Sequence, residues 1–277
     1  MNAFTFAVIG GDRRSFYAAK RLKEYGFQTK IFGLKNEETY RPTEEIKAEA
    51  VLLPVPFSRD GIRLFAPESR EDILISDVLA SISENALIFA GGAGGIADKR
   101  ITDYAKREDF ALLNAVPTAE GALMLALQNG KTTVCRMSVA VIGFGKVASA
   151  VAKLFSAVGA DITVFARKEQ ARAEAHILGY TAKPISELSE CAEAYSLLIN
   201  TVPSKIFDKN ILLRIRKDAL LMELASAPYG VDFKEAEGLG VRTMLASGLP
   251  GKYFPETAGY AVAETVLNVL REKAILF

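Results

Sequence analysis

Short apolar runs rich in Val, Ile and Phe alternate along the chain with segments whose apolar residues recur at helical spacing. This alternation is typical of parallel β-sheets covered by crossover helices. Before residue 116 the predicted strands are FAVIG, TKIFG, AVLLPV, ALIFAG and ALLNA. The pattern therefore predicts an α/β unit in the first part of the chain.

The pattern changes at Pro117 and Thr118, which we expect to open a helix with Thr118 as its N-cap. The stretch EGALMLALQ continues this helix to a stop at Asn129-Gly130. A final helix is predicted over residues 257–273, after the loop LASGLPGKYFPETAG. Between the two helices lies a second set of predicted strands: SVAVIGF, DITVFA, SLLINTV, ALLMELA and VRTMLA. The chain is thus expected to hold two similar α/β units.

Composition narrows the class of protein. The chain has 277 residues, of which 50% are hydrophobic, so it can bury one large core or two modest ones. Lys and Arg number 34 and Asp and Glu 33, a balance that does not favour nucleic acid or an anionic membrane surface. No apolar run approaches the roughly 20 residues that span a bilayer, and charged residues interrupt the first apolar stretch. We expect a cytoplasmic protein that binds small molecules or other proteins, with no nucleic acid and no membrane.

Cysteine and histidine are scarce. Cys135 and Cys191 are too few and too far apart for a disulfide framework or a zinc cluster, and His176 is the single histidine. We therefore expect no metal site.

The strongest motif is Gly143-x-Gly145-x-x-Ala148, which follows the strand SVAVIGF directly and opens an amphipathic helix. Gly143 permits the tight turn, Gly145 leaves room for a pyrophosphate, and Ala148 lets the helix pack closely on the strand. The helix N-terminus, which includes Lys146 and Val147, offers N–H groups and a partial positive charge to the phosphates. The alternative is a fold of this kind that binds no nucleotide.

The next predicted strand bears on which nucleotide is bound. In NAD-binding units an Asp or Glu about 20 residues past the glycines holds the ribose 2′-hydroxyl, whereas an Arg can hold a 2′-phosphate. Here the strand ends in Ala166, Arg167 and Lys168, and guanidinium geometry suits phosphate. NADP is favoured, with NAD still possible. Because Glu169 is close, a merely solvated loop is the alternative.

Two later strand ends are expected at the carboxyl edge, where the nicotinamide half would lie. The alternative for each is a plain strand end with no ligand. The residues concerned are Asn200, Thr201, Val202 and Pro203 after SLLIN, and Ala225 and Ser226 after ALLMEL. His176 falls on a helix at the wrong edge for hydride transfer, so the His-based acid/base pair of 2-hydroxy-acid dehydrogenases cannot be built.

These observations predict an α/β fold of two Rossmann-like parallel-sheet domains, joined by crossing helices, with a cleft between them. We expect residues 1–128 and 252–277 to form a substrate and catalytic domain. Residues 129–251 are expected to form the dinucleotide-binding domain, and the C-terminal helix to pack on the first domain.

Six stretches together extend over nearly the whole chain: VIGGDRR, NAVPTAEGALMLALQ, GFGKVASAVAKLFSAVGADITVFAR, INTVPSKIF, ELASAPYGVDFKEAEGLG and ASGLPGKYFPETAG. They resemble bacterial dipicolinate synthase A, the dehydrogenase subunit of a two-subunit synthase. Two positions depart from the family's pattern: Tyr229 stands where a second glycine is expected, and Glu256 where a lysine is common.

The resemblance implies an NAD(P)-dependent oxidoreductase that acts on a dihydropyridine ring. Its reaction would be the oxidation of dihydrodipicolinate to dipicolinate, pyridine-2,6-dicarboxylate, during sporulation, in the cytoplasm of the mother cell. It also implies a partner, the flavoprotein-like second subunit dipicolinate synthase B, and we expect an oligomer.

A dicarboxylate substrate requires cations and N–H donors. In VIGGDRR two glycines lead into a helix N-terminus with adjacent arginines, which suits an anion. The alternative is a solvated first turn. The candidate substrate-binding residues are Asp12, Arg13, Arg14, Gly92, Asn114, Thr118, Lys252 and Thr257. Glu120 is the candidate proton acceptor, and Ser226 is a second catalytic candidate.

Two rival functions remain open. One keeps the fold and changes the substrate, as in a shikimate- or amino-acid-type dehydrogenase, which the NTVP and GLPG stretches partly resemble. The other is a non-catalytic, nucleotide-binding protein that only activates its partner.

Overall fold

The computed structural model describes residues 4–35, 37–41 and 45–275. The expected domain limits at residues 1 and 277 lie outside this part of the chain. The elements up to residue 129 are β1 (Thr5–Ile9), α1 (Arg13–Glu24), β2 (Gln28–Phe32), β3 (Ala50–Leu52), α2 (Ile75–Ser81), β4 (Leu87–Ala90), β5 (Ile101–Asp103) and α3 (Glu108–Asn129). The remaining elements are β6 (Ser138–Ile142), α4 (Lys146–Ala157), β7 (Asp161–Ala166), α5 (Glu169–Ile177), β8 (Thr181–Pro184), α6 (Leu188–Cys191), β9 (Leu197–Asn200), α7 (Lys209–Arg214), β10 (Leu220–Glu223), α8 (Phe233–Gly238), β11 (Arg242–Leu245), α9 (Leu249–Tyr253) and α10 (Pro255–Glu272).

The chain divides into two compact units. The first comprises Met1–Asn114 and Pro250–Phe277, and the second comprises Ala115–Leu249. The change from the first unit to the second therefore falls inside α3, whereas the sequence pattern predicts a domain limit at residues 128–129.

The first unit has a parallel sheet in the order β2-β1-β3-β4-β5. Successive side chains of a strand point to opposite faces, and β1 is buried on both. Phe6 and Val8 belong to a core cluster on one face, and Ala7 and Ile9 to a cluster on the other. A strand covered on both faces is an almost continuous apolar run, which is why FAVIG is evident in the sequence.

The C-terminal helix α10 completes the core of the first unit. Val262, Val266 and Leu267 lie in the cluster that holds Phe6 and Val8. At Gly259 the helix comes so close to α1 that a Cβ would lie 2.5 Å from the main-chain oxygen of Arg14. The smallest side chain is thus required where the two helices meet.

The second unit has a parallel sheet in the order β11-β10-β9-β6-β7-β8. Numbered within the unit, this is the strand order 3-2-1-4-5-6 of the Rossmann fold, with the order reversing between β6 and β9. The first unit has the related order 2-1-3-4-5, with its reversal between β1 and β3. The predicted fold class, two Rossmann-like parallel-sheet domains, is confirmed.

Two local predictions were wrong. ALLNA is not a strand, and Pro117 with Thr118 does not begin a helix, because both stretches lie inside the 22-residue helix α3. Pro117 has no N–H to donate to the carbonyl four residues earlier, but the helix continues past it. The strands β5 and β8 were not predicted.

Within the described ranges, α3 is the helix that is long and apolar enough to cross a membrane by length and composition, with 44% of its most apolar window buried. A core helix of a globular protein meets the same criterion, so this is weak evidence for a membrane span. No group of three or more His, Cys, Asp or Glu side chains that could hold a metal ion occurs in that same part of the chain.

Candidate functional site

The glycine turn after β6 lies at the point where the strand order of the second unit reverses. Gly143 has a φ of +94°, a conformation that side chains disfavour, and a Cβ there would lie 2.6 Å from Oγ1 of Thr201. The Thr201 hydroxyl donates to the Ile142 carbonyl at 2.8 Å. The turn is therefore packed directly against the end of β9.

Gly145 differs from Gly143 because a Cβ added to it would meet no atom within 4 Å. It takes the N-cap position of α4 and offers no side-chain acceptor to the first turn. Behind it Ala148 is fully buried and lets the helix approach the sheet. Open space in front of a glycine at a helix N-terminus fits a pyrophosphate, so the residues present suit a dinucleotide cofactor.

Cations surround the end of β7. Arg167 and Lys168 are both exposed. The side chain of Glu169 is 94% exposed, and its carboxylate lies 3.8 Å from Nη2 of Arg172. Arg172 on α5 donates from Nη1 to the carbonyl oxygens of Ala166 at 3.0 Å and Arg167 at 2.9 Å. These contacts fix the strand end, where the exposed side chains of Arg167 and Lys168 carry positive charge.

The ends of β9 and β10 share a buried polar pair. Asn200 and Glu223 are fully buried, and the amide Nδ2 of Asn200 donates to both carboxylate oxygens of Glu223, at 2.8 and 2.9 Å. Burial raises the pKa of Glu223, while N–H donors from Gly230, Asn200 and the loop after β10 oppose that rise. Ala225 is buried and Ser226 is exposed in this loop.

In the first unit, VIGGDRR forms the expected strand, glycine turn and helix N-terminus. Asp12 is the N-cap of α1 and accepts from the main-chain N–H of Arg14 at 3.0 Å. The same carboxylate accepts from Arg14 Nε at 2.9 Å and Nη2 at 2.8 Å. The anion at this helix N-terminus is therefore the carboxylate of Asp12. Arg13 is exposed, and its Nη2 donates to the Tyr17 hydroxyl at 3.3 Å.

Other predicted residues of the first unit lie near this edge of its sheet. A Cβ on Gly251 would lie 2.6 Å from Arg14 Nε, so α9 reaches Arg14 and Lys252 follows at the next position. The N–H of Gly92, at the end of β4, donates to the Asp103 carboxylate at 2.9 Å. Candidate substrate-binding residues that are far apart in the sequence thus lie at strand and helix ends of the first unit. Lys252 and Thr257 are exposed, and Asn114 is partly buried in α3.

In the second unit, α3 carries Thr118, which is buried, and Glu120, which is exposed. Of the two departures from the family's pattern, Tyr229 has a φ of +63° and its ring lies edge-on to Phe233, with centroids 5.9 Å apart. Glu256 in the first unit pairs with Lys20 at 3.3 Å.

Comparison with known proteins identifies the family. Dipicolinate synthase A of Bacillus subtilis (strain 168) is 31% identical over 291 residues, covering 98% of this chain and 97% of that protein. The chain belongs to the dipicolinate synthase A family. The family that the sequence motifs predicted is thereby confirmed.

Solved structures of dipicolinate synthase A agree with this assignment. The protein from Bacillus subtilis matches with a TM-score of 0.86 and 29% identity, covering 100% of this chain and 99% of that one. The protein from Bacillus halodurans matches with a TM-score of 0.85 and 26% identity, covering 96% and 97% respectively.

Two family models match separate parts of the chain. Residues 5–116 match the N-terminal domain of dipicolinate synthase A. Residues 119–231 match the NAD binding domain of D-isomer specific 2-hydroxyacid dehydrogenases. The match to an NAD-binding domain over residues 119–231 supports a nicotinamide cofactor. The single histidine, His176, is exposed on α5.

Two residues at the site were not singled out from the sequence. Glu223 is the only charged residue in the apolar run ALLMELA, and a charge in a buried parallel strand needs a partner. The sequence therefore contained a signal for Glu223. It contained no such signal for Arg172, because an arginine on an amphipathic helix is ordinarily solvated.

Proposed function

We propose that this chain oxidises dihydrodipicolinate to dipicolinate with NADP as the hydride acceptor, acting with the flavoprotein-like dipicolinate synthase B. The open turn at Gly145, at the N-terminus of α4, is the observation that carries this proposal. Its family membership supplies the substrate class, and the cations after β7 favour NADP over NAD.

Different residues would hold the pyrophosphate, the 2′-phosphate and the nicotinamide half of the cofactor. The pyrophosphate would accept from N–H groups at the turn formed by Gly143, Gly145, Lys146, Val147 and Ala148. Arg167 and Lys168 would hold the 2′-phosphate. The nicotinamide half would lie against the accessible residues after β9 and β10, which are Thr201, Val202, Pro203 and Ser226. The buried Asn200 and Ala225 would support these residues from behind.

Oxidation of the dihydropyridine ring does not require a strong base. When bound, the oxidised nicotinamide accepts a hydride, and the substrate ring also loses a proton and becomes aromatic. Glu120 is proposed to accept that proton, with water as its final destination, and Ser226 is the second proposed catalytic residue. Because aromaticity favours the product, positioning of the ring supplies much of the rate.

The substrate carboxylates are proposed to bind along the strand and helix ends of the first unit. Arg13 and Lys252 are exposed cations there, with Thr257 at the start of α10. The Arg14 guanidinium already pairs with Asp12, so a substrate carboxylate at Arg14 would share it. Further proposed donors are Asn114 and Thr118, which both lie on α3, with Thr118 in the second unit. Gly92 is also proposed, and its N–H, which bonds to the Asp103 carboxylate, would be shared with the substrate.

We further propose that the protein acts in the cytoplasm of the mother cell of a sporulating bacterium. Oligomer formation is part of the same proposal, since family relatives are described as one subunit of a synthase.

The decisive experiment supplies dihydrodipicolinate generated in situ to the purified chain together with dipicolinate synthase B. Growth of pyridine-dicarboxylate absorbance with NADP, and slower growth with NAD, is the expected result. Gly145→Leu should abolish turnover because the side chain fills the pyrophosphate space. Gly238→Leu is the matched control, since a Cβ there also meets no atom within 4 Å. Undiminished turnover of Gly145→Leu in the complex would favour a non-catalytic role, and absence of dipicolinate with the wild type would favour another substrate.

A further inference from the structure

Glu223 carries a carboxylate into a fully buried position at the end of β10. Its partners in the described part of the chain are N–H groups: Asn200 Nδ2, Ala225 N at 2.9 Å, Gly230 N at 2.8 Å and Val231 N at 3.1 Å. A buried carboxylate is tolerated only where such donors replace its water. The sheet therefore holds a group at this point that is costly to bury.

The contacts of Glu223 close the loop that follows β10. Ala225 N, at the start of the loop, donates to Oε1, while Gly230 N and Val231 N, at its end, donate to Oε2. Ser226 lies between these anchors. Tyr229 adopts its φ of +63° just before the second anchor, and such a conformation persists only where the surroundings enforce it. One side chain thus fixes both ends of the loop.

Asn200 extends the same contacts to the loop after β9. Its Nδ2 donates to the Val202 carbonyl at 3.0 Å, and its Oδ1 accepts from the Val202 N–H at 3.2 Å. The amide orientation is therefore determined, because the reverse orientation would face oxygen with oxygen. A Cβ on Gly230 would lie 2.2 Å from Asn200 Nδ2, so only glycine fits where the two loops touch.

The loop after β9 is joined in turn to the glycine turn. Thr201 is bonded to the Ile142 carbonyl and fills the space beside Gly143. A continuous set of contacts therefore runs from Glu223 through Asn200 and Thr201 to Gly143.

We propose that Glu223 is a positioning residue that holds the two loops at the carboxyl ends of β9 and β10 in the shape that receives the nicotinamide half of the cofactor. This inference rests on the proposed function, in that it presumes a dinucleotide bound across the glycine turn. Glu223 is fully buried and acts through the backbone and Asn200 rather than on the reacting atoms.

The test separates the two halves of the cofactor. Wild type, Glu223→Gln, Asn200→Ala and the exposed control Glu237→Gln are titrated, as full-length chains, with NADPH by fluorescence and with adenosine 2′,5′-bisphosphate by calorimetry. The bisphosphate has the adenosine and phosphates but no nicotinamide. In Glu223→Gln the amide NH₂ group faces backbone N–H groups, so the two loops lose their hydrogen bonds to this side chain. We therefore expect the dissociation constant of NADPH to rise by about tenfold or more. Bisphosphate affinity should change by less than about twofold, and Glu237→Gln should match wild type in both.

Each outcome decides the inference. A selective loss of NADPH affinity in Glu223→Gln, or in Asn200→Ala if the first variant does not fold, supports it. Equal loss of both ligands, or no loss of either, overturns it, because the role would then be general stability or nothing. Failure of the wild type to bind NADPH or NADH would overturn the proposed cofactor use itself, and the inference with it.

Discussion

The carboxylate of Asp12 meets the guanidinium of Arg14 at 2.8 Å while it caps the helix on which Arg14 lies. Both side chains are largely buried, with 23% of Asp12 and 15% of Arg14 exposed. The corner that the sequence suggested for a bound anion thus carries an anion of its own.

Substitutions can separate the two roles of Asp12, which caps α1 and pairs with Arg14. Asp12→Asn keeps an oxygen for the Arg14 N–H, and we expect it to lower the free energy of unfolding by about 1 kcal/mol or less. Asp12→Ala removes the cap as well and should cost about 1–2 kcal/mol. Urea denaturation followed by circular dichroism measures both. Equal stability of wild type and Asp12→Ala would show that the cap and the pair contribute nothing.

The two glycines of the fingerprint should respond oppositely to one added methyl group. Gly143→Ala places a Cβ against Thr201 at a positive φ, so we expect a loss of about 2 kcal/mol in stability. Gly145→Ala faces open space and should stay within about 1 kcal/mol of wild type, yet bind NADPH less well. Melting curves and fluorescence titrations distinguish the two effects. A Gly145→Ala protein with unchanged NADPH affinity would contradict the placement of the pyrophosphate.

Cofactor choice should depend on Arg167. Arg167→Glu puts a negative charge beside the proposed 2′-phosphate, and we expect the dissociation constant of NADPH to rise about tenfold or more. That of NADH, which has no 2′-phosphate, should change little. The control is Lys209→Glu, an exposed charge reversal at the start of α7. If both nucleotides weaken equally, Arg167 does not read the 2′-phosphate.

The acid stability of the first unit should depend on Asp109. Its carboxylate bonds to Arg107 Nε at 2.9 Å, and Arg107 also reaches Glu272 on α10 at 2.7 Å. The Arg107 guanidinium lowers the pKa of Asp109, with a smaller contribution from Asn268, while burial opposes this. The pairing therefore stabilises the fold above the ordinary aspartate pKa, and this is lost as the pH falls through the lowered value.

We accordingly expect Asp109→Asn to be less stable than wild type by about 1 kcal/mol or less at pH 7. The difference should shrink towards zero once the pH is below the lowered pKa. Free energies of unfolding measured across this range test the prediction, and Asp208→Asn, at the N-cap of α7, serves as a carboxylate control in the second unit. A difference that grows in acid would mean that the sign is wrong.

The central strands could be predicted from the sequence because they are covered on both sides. β1, β4, β6 and β9 are buried along almost their whole length, so apolar runs mark them. The strands that were missed, β5 and β8, lie at the edges of their sheets and contain no fully buried residue. An edge strand with half-exposed side chains gives little apolar signal.

The error over ALLNA has a different cause. A short apolar run fits a buried strand and a helix equally well, and Pro117 suggested a boundary that α3 does not have. The glycine turn could be predicted because its residues are local. The contacts of Glu223 could not. Asn200 reaches it only through the pairing of β9 with β10, and Gly230 and Val231 reach it only because the loop after β10 folds back.

The discontinuity of the first unit has a consequence for how the protein is made. Ribosomes release the chain from its N-terminus, and domains generally fold as they emerge. The second unit, Ala115–Leu249, is continuous and can close its core before synthesis ends. The first unit lacks α10 until the residues that follow the second unit appear, so until then Val262, Val266 and Leu267 cannot cover the apolar surface of α1 and β1. The unit whose translation begins first is therefore the unit whose core is completed last.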